Sequence, residues 1–414
     1  MTNRLVALTA FVFSLLLSNP LASATQQSDS ENAAASWRFE IGAINGDGET
    51  TSEAKSDDAV TRNGTPSLRL SGDSSTVRWL SATRTVKDVR PGQRYRLAAW
   101  IATRNVRQEG RQYFNCNVYA QFKSQEGEVI RSANGFPVIG TRPLLGTNNW
   151  TRVEATVRVP PETSTALVGC FLSCSGTAWF DDVTFTPLPV PDWKTEDTGR
   201  YIYHWEHEGT PPRIIVSANE TFLEDLELLL DTHLPEPVQY FLYEDNARKG
   251  EVTGNAGNAH VEESHEIHTL FWTDRHEVVH LLTRQWPGEG TALLGEGLAV
   301  HLSGSWQAEP VDVAVRNIQS EGPLIPLSEL ISTTSFRAHE DQLSYPQAGS
   351  FVQFLFETYG LAAFRQLYTT TPLNPDAPTF DKLLEHIYKK NLAQLEAQWL
   401  ETIEAGTAKD SSPP

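Results

Sequence analysis

Apolar and polar positions follow two different rhythms along this 414-residue chain. Between residues 36 and 186 the period is two. Leu68 and Leu70 alternate with polar neighbours, as do Tyr95, Leu97, Ala99 and Ile101. The rhythm recurs in Val118, Ala120 and Phe122, and in Val153, Ala155, Val157 and Val159. Turn formers separate these runs: Asn45-Gly46-Asp47-Gly48, Asn63-Gly64, Ser71-Gly72-Asp73 and Pro91-Gly92. Successive side chains on a strand point to opposite faces, so short period-two runs between turns predict an all-β sandwich. Pro187-Leu188-Pro189-Val190-Pro191 then reads as the start of a stiff, extended linker over residues 187–199.

Beyond the linker, residues 200–408 predict an α+β domain. Ile214-Ile215-Val216 and Val238 to Tyr243 read as short strands, and Phe222, Leu226, Leu229 and Leu230 between them carry helical spacing. From about residue 275 onward helical patterns dominate. Residues 259–271 read as one edge strand, because Ile267, Thr269 and Phe271 alternate there. Such an edge can bind an extended peptide through backbone hydrogen bonds. The end of the chain from Ala405 is small and polar, and residues 409–414 are expected to be disordered.

The first residues read as an address. Arg4 precedes the apolar run Leu5 to Leu17, 13 residues long, and Ala22-Ser23-Ala24 is a small-x-small cleavage site. Residues 1–24 are therefore expected to be a secretory signal peptide. The run is too short to span a bilayer, which needs roughly 20 apolar residues. Removing Arg4 from a net charge of -19 leaves -19 - 1 = -20. The expected product is exported (periplasmic, cell-surface or extracellular), acidic and without a membrane span. That charge argues against nucleic acid as a partner, since phosphate contacts need clustered basic residues. Export permits disulfides. Cys116, Cys170 and Cys174 allow at most one bridge, Cys116 with Cys170 or Cys174, or else three buried thiols.

The chemistry concentrates at His276-Glu277-Val278-Val279-His280. On a helix, positions i and i+4 share a face, so both imidazoles can meet one ion with Glu277 beside it. Thr273-Asp274-Arg275 can open that helix, and Leu281-Leu282 sustain it. A catalytic zinc needs a third protein ligand and an open position. Trp286-Pro287-Gly288-Glu289-Gly290 breaks the helix, and a second one starting near Thr291 can return Glu296 to the metal. His276, His280 and Glu296 are thus the expected zinc ligands. Glu289 is the runner-up ligand, and His301 reads as a packing residue. His265-Glu266-Ile267-His268 has one residue too few between its histidines for the zinc motif.

Two resemblances follow from these residues. The first half resembles the jelly-roll carbohydrate-binding modules of secreted glycosidases, over about 150 residues. The resemblance is carried by Gly176-Thr177-Ala178-Trp179-Phe180-Asp181-Asp182-Val183, Pro66-Ser67-Leu68-Arg69-Leu70 and Pro91-Gly92-Gln93-Arg94-Tyr95-Arg96-Leu97. It implies a glycan partner and a structural calcium on Asp181 or Asp182 with Glu40. Trp79, Trp100 and Trp150 suit sugar stacking or core filling, and core filling is the expectation.

The second half resembles the gluzincin, peptidase MA-like metallopeptidases related to aminopeptidases of the leukotriene-hydrolase kind, over roughly 200 residues. His276-Glu277-x-x-His280, Gly295-Glu296-Gly297-Leu298-Ala299 and Ser344-Tyr345-Pro346-Gln347-Ala348-Gly349-Ser350-Phe351 carry it. It implies a thermolysin-like fold, peptide or protein substrates, Glu277 as general base and Tyr345 as oxyanion donor. Two departures stand out. The G-x-M-E-N motif of those aminopeptidases is missing, with Gly257-Asn258-Ala259 near its place. Where thermolysin-like enzymes often carry an acid, four residues past the ligand glutamate, this chain has Val300. Alternatives from other classes are a glycan- or protein-binding surface protein with an inactive peptidase-like domain, and a non-peptidase zinc hydrolase.

Overall fold

A computed structural model describes residues 38–43, 53–72, 78–107, 116–131, 137–263 and 265–410. The expected signal peptide lies outside them, as do the side chains of Glu40 and Trp79. The chain divides into two compact units, Met1–Pro191 with Gly250–Ala256, and Asp192–Lys249 with Gly257–Pro414.

The strands of the first unit are β1 (Arg38–Ala43), β2 (Glu53–Asp57), β3 (Ser67–Gly72), β4 (Arg78–Val86), β5 (Arg94–Arg107), β6 (Cys116–Lys123), β7 (Val129–Ile130), β8 (Ile139–Gly140), β9 (Gly146–Arg158), β10 (Thr165–Leu172) and β11 (Ser175–Pro187). They form two sheets, ordered β1-β4-β10-β6-β7 with β8 beside β6, and β2-β3-β11-β5-β9. One core lies between them. It takes the alternate residues Leu97, Ala99 and Ile101 of β5, Val118, Ala120 and Phe122 of β6, and Ala178 and Phe180 of β11. Burying such side chains contributes about 1.5–3 kcal/mol for each large one.

Cys116, Cys170 and Cys174 are free and buried. Register explains why β6 and β10 are not bridged: Cys116 faces Leu172, and Cys170 faces Val118. Trp100 and Trp150 are half-buried and lie outside the core cluster, against the core-filling expectation. Trp100 sits between core positions Ala99 and Ile101, so the pleat turns it outward, where the Arg62 guanidinium covers it at 3.9 Å.

The second unit opens with a five-stranded sheet of β12 (Lys194–Asp197), β13 (Tyr201–Trp205), β14 (Val238–Leu242), β15 (Ala259–Glu262) and β16 (Glu266–Thr269), ordered β12-β13-β14-β16-β15. β13, β14 and β16 are parallel, and β12 and β15 are antiparallel edges. Part of the expected linker is therefore strand. An extended segment beside an open β13 edge completes a ladder. The expected single strand over 259–271 is a hairpin instead. Glu263, at φ 54°, turns the chain between β15, the edge, and β16, which is interior.

Helix α1 (Arg213–Leu230) makes the crossover between β13 and β14. It contains Ile214-Ile215-Val216, which were expected as a strand. Pro212 accounts for the difference: its fixed φ starts the helix, and its carbonyl accepts from the N–H groups of Ile215 and Val216. Ile214 is 82% exposed while Val216 is 5%, a helical rather than a period-two contrast.

The remaining helices are α2 (Asn246–Thr253), α3 (Arg275–Thr283), α4 (Ala292–Ser303), α5 (Val311–Glu321), α6 (Leu327–Leu330), α7 (Thr333–Phe336), α8 (Asp341–Thr370), α9 (Ala377–Tyr388) and α10 (Leu392–Asp410). α8 is broken at Gly360, whose φ of 81° and ψ of 167° are non-helical. α10 continues to Asp410, so the expected disorder does not begin at 409. Extending an existing helix costs far less than nucleating one. No described helix is long and apolar enough to cross a membrane.

Candidate metal centre

The centre begins with the cap of α3. Asp274 accepts from the Glu277 backbone N–H at 3.3 Å through one oxygen. The other accepts from the Thr269 hydroxyl at 2.8 Å, tying the helix start to the end of β16. Val278, Val279, Leu281 and Leu282 turn into the core. The helical period then leaves His276 and His280 together on another face, each side chain about one-fifth exposed (20% and 21%).

α4 supplies the third group. Thr291 caps it, and its carbonyl accepts from Leu294 and Gly295. Glu296 is buried one turn along. Gly297, beside it, permits a close crossing with α8: a Cβ there would stand 2.6 Å from the Ala348 carbonyl oxygen. That crossing brings Tyr345, near the start of α8, to the same site.

Three ligand atoms converge. His276 Nε2 lies 3.1 Å from Glu296 Oε2, His280 Nε2 lies 3.3 Å from it, and the two Nε2 atoms are 3.1 Å apart. Ligand atoms held tetrahedrally at zinc bond lengths stand about 3.3 Å apart, so this triangle fits the ion. The donor set, two imidazoles and a carboxylate, also suits zinc. A tetrahedral ion held by these three groups would keep its fourth position for a water or substrate.

The second oxygen of Glu296 is held by Arg337, at the end of α7, which also donates to the Tyr345 hydroxyl. Val300, four residues past Glu296, is apolar and buried against Gly349 of α8. Tyr345 stacks on Trp306 with 4.3 Å between centroids, and its ring lies 6.3 Å from that of His276.

The charges are strongly perturbed. Burial would raise the Glu296 carboxyl, but the adjacent His280 and His276 outweigh it and hold the group well below the usual range. Burial, with the Asp274 and Glu296 charges adding, pushes Glu277 up to about 7. Burial also pushes the Tyr345 hydroxyl up, more than Arg337 draws it down. Tyr345 thus stays protonated. Since Arg337 donates into its oxygen, its own O–H is left to donate elsewhere.

The structure places His276, Glu277, His280, Glu296 and Tyr345 together. Glu289 is exposed in the turn and outside the ligand group. His301 packs on Phe356, with ring centroids 5.5 Å apart. His265 reaches Glu236 at 3.6 Å instead of joining His268. Of the expected calcium ligands, Asp182 accepts from Arg62 and Asn63, while the side chain of Glu40 lies outside the described residues. Sequence reasoning missed Arg337, 41 residues from Glu296, and no local pattern signals it.

Comparison with known proteins adds four likenesses. YbfP of Bacillus subtilis (strain 168), an uncharacterized HTH-type transcriptional regulator, is 28% identical over 113 residues, 27% of this chain and 35% of that protein. The chain spans about a third of that curated relative. Among solved structures, the tailspike protein 4 of bacteriophage CBA120 aligns at TM-score 0.30 and 16% identity, over 37% of this chain and 20% of that one. The C-terminal family 22 carbohydrate-binding module of Clostridium thermocellum Xyn10B aligns at TM-score 0.26 and 13% identity, over 38% of this chain and 89% of that one. Residues 263–405, which hold His276, Glu277, His280, Glu296, Arg337 and Tyr345, match the Peptidase MA superfamily, so the second unit carries a domain of that superfamily.

Proposed function

We propose that this chain is an exported, zinc-dependent peptidase of the gluzincin kind. The observation that carries the proposal is the triangle of His276 Nε2, His280 Nε2 and Glu296 Oε2, with sides of 3.1–3.3 Å, whose His276 and Glu296 charges bear on the Glu277 carboxyl. His276, His280 and Glu296 would hold the ion, which when bound supplies Lewis acidity to activate a water and polarise a peptide carbonyl. Glu277 takes the proton of the attacking water and passes it to the leaving amine. Tyr345 donates its O–H to the oxygen of the tetrahedral intermediate. Arg337 orients Glu296 and Tyr345 together. Export rests on the pattern of residues 1–24.

The test is a mixed peptide library cut by the full chain and mapped by mass spectrometry, beside the Glu277→Gln variant and a chelated sample. Cuts that disappear in both controls establish the activity, and their positions separate internal from terminal cleavage. Cuts that persist in Glu277→Gln would sink the assignment. A zinc-loaded chain that cuts nothing, yet binds glycan, would favour the binding-protein reading.

The sandwich is given a targeting role toward glycan. Trp150 stands off its core, the placement that stacking on a sugar ring requires, whereas the Arg62 guanidinium already covers the Trp100 ring. Retardation of the chain in polysaccharide gels, lost in Trp150→Ala, checks that role.

A further inference from the structure

The β15–β16 hairpin gathers a second set of imidazoles and carboxylates. Its register sets His260 opposite His268 and Glu262 opposite Glu266. Residues two apart on a strand share a face, so all four side chains stand on one side of the sheet. The rings of His260 and His268 stack with centroids 5.0 Å apart. Ligand atoms of His260, Glu262 and His268 all lie within 4.8 Å of one another.

The spacing around His268 is informative. Its Nε2 is 3.4 Å from Glu266 Oε2 and 3.5 Å from Glu262 Oε2. A proton shared between an imidazolium and a carboxylate draws the heavy atoms to about 2.7–2.9 Å. Ligand atoms around a tetrahedral ion stand about 3.3 Å apart, much nearer the observed separations. The other ring nitrogen is engaged, with Nδ1 lying 2.9 Å from the Tyr243 hydroxyl. Such a partner fixes which nitrogen faces a metal. Phe241 stacks on the same ring at 4.6 Å, and His268 is fully buried. The ring is therefore held in place on two sides.

We propose that His260, Glu262 and His268 form a second site for a divalent cation of the zinc class, separate from the His276–His280–Glu296 centre, with Glu266 Oε2 beside His268 Nε2 at 3.4 Å. Three protein ligands would hold the ion on the hairpin. The ion pins the edge strand β15 to the interior strand β16. Lys249 also bears on Glu262 electrostatically, and its ammonium is the competitor that the cation must outweigh.

The test counts metal on the full chain. The protein is stripped with chelator, loaded with Zn2+, freed of excess by gel filtration and measured by elemental analysis. The expected result is two ions per chain. His260→Gln and Glu262→Gln, both at partly exposed positions, each bring this to one, and His280→Ala removes the other independently. Co2+ loading of His280→Ala should still give the visible absorption of a tetrahedral site, and Glu262→Gln should abolish it in that background. One ion per chain that is insensitive to both hairpin variants overturns the proposal. Because His280→Ala and the hairpin variants are read separately, failure of the peptidase centre and failure of this site give different patterns.

Discussion

Arg337 ties two groups of the candidate metal centre together. It neutralises the outer oxygen of Glu296 and orients the hydroxyl of Tyr345. Truncating it leaves a buried carboxylate oxygen without its cation. Arg337→Met is expected to weaken zinc binding about 10–100-fold, measured by competition with a chromophoric chelator. Tyr345→Phe separates the two effects. It keeps Arg337 on Glu296, so zinc affinity should hold while kcat falls about 100-fold or more. Equal losses of metal and turnover in Tyr345→Phe would argue that the tyrosine only supports the ligands. His276, Glu277 and His280 were legible without any structure, because i, i+4 spacing is a local property of a helix. Arg337 was not legible, since nothing local links it to Glu296.

At the scale of elements, the α4–α8 crossing sets the geometry. Gly297 and Gly349 face the opposite helices so closely that a Cβ on either would stand 2.6 Å or less from its nearest neighbour. Gly297→Ala forces the helices apart, and overpacking of this kind costs about 1–3 kcal/mol. Urea unfolding should show that loss, and the displaced Glu296 should lower zinc affinity in the refolded variant. An unchanged unfolding midpoint would mean that the helices yield. The sequence suggested that α4 returns Glu296 to the metal, since Trp286–Gly290 cannot continue α3. It did not show that the return depends on α8. The strand expected at Ile214-Ile215-Val216 failed for a related reason: residues of high β propensity joined a helix that Pro212 starts and tertiary packing retains.

At the scale of the whole molecule, the three thiols give the cleanest readout. Burial raises Cys116 and Cys170, and it raises Cys174 from 9.0 to about 11. The native protein should resist alkylation at pH 8 and yield three reactive thiols once unfolded. Fewer than three, without reductant, would reveal a disulfide. Between pH 9 and about 11 the unfolded Cys174 has released a proton that the native one keeps. Stability should therefore fall as pH rises through that window. Metal removal acts in the same sense. An ion present at 100 times its Kd stabilises the native state by about 2.7 kcal/mol, so chelation should lower Tm measurably.

The local period of the chain determined the β character of the first unit and the helix that carries His276, Glu277 and His280. Each depends on neighbours within a few positions, and side-chain direction follows from the backbone repeat. Tertiary structure alone decided which oxygen of Glu296 faces the histidines, that Arg337 holds the other, and that His260 rather than His265 lies beside His268. Those outcomes depend on strand register and helix crossing, which arise from packing between segments far apart in sequence.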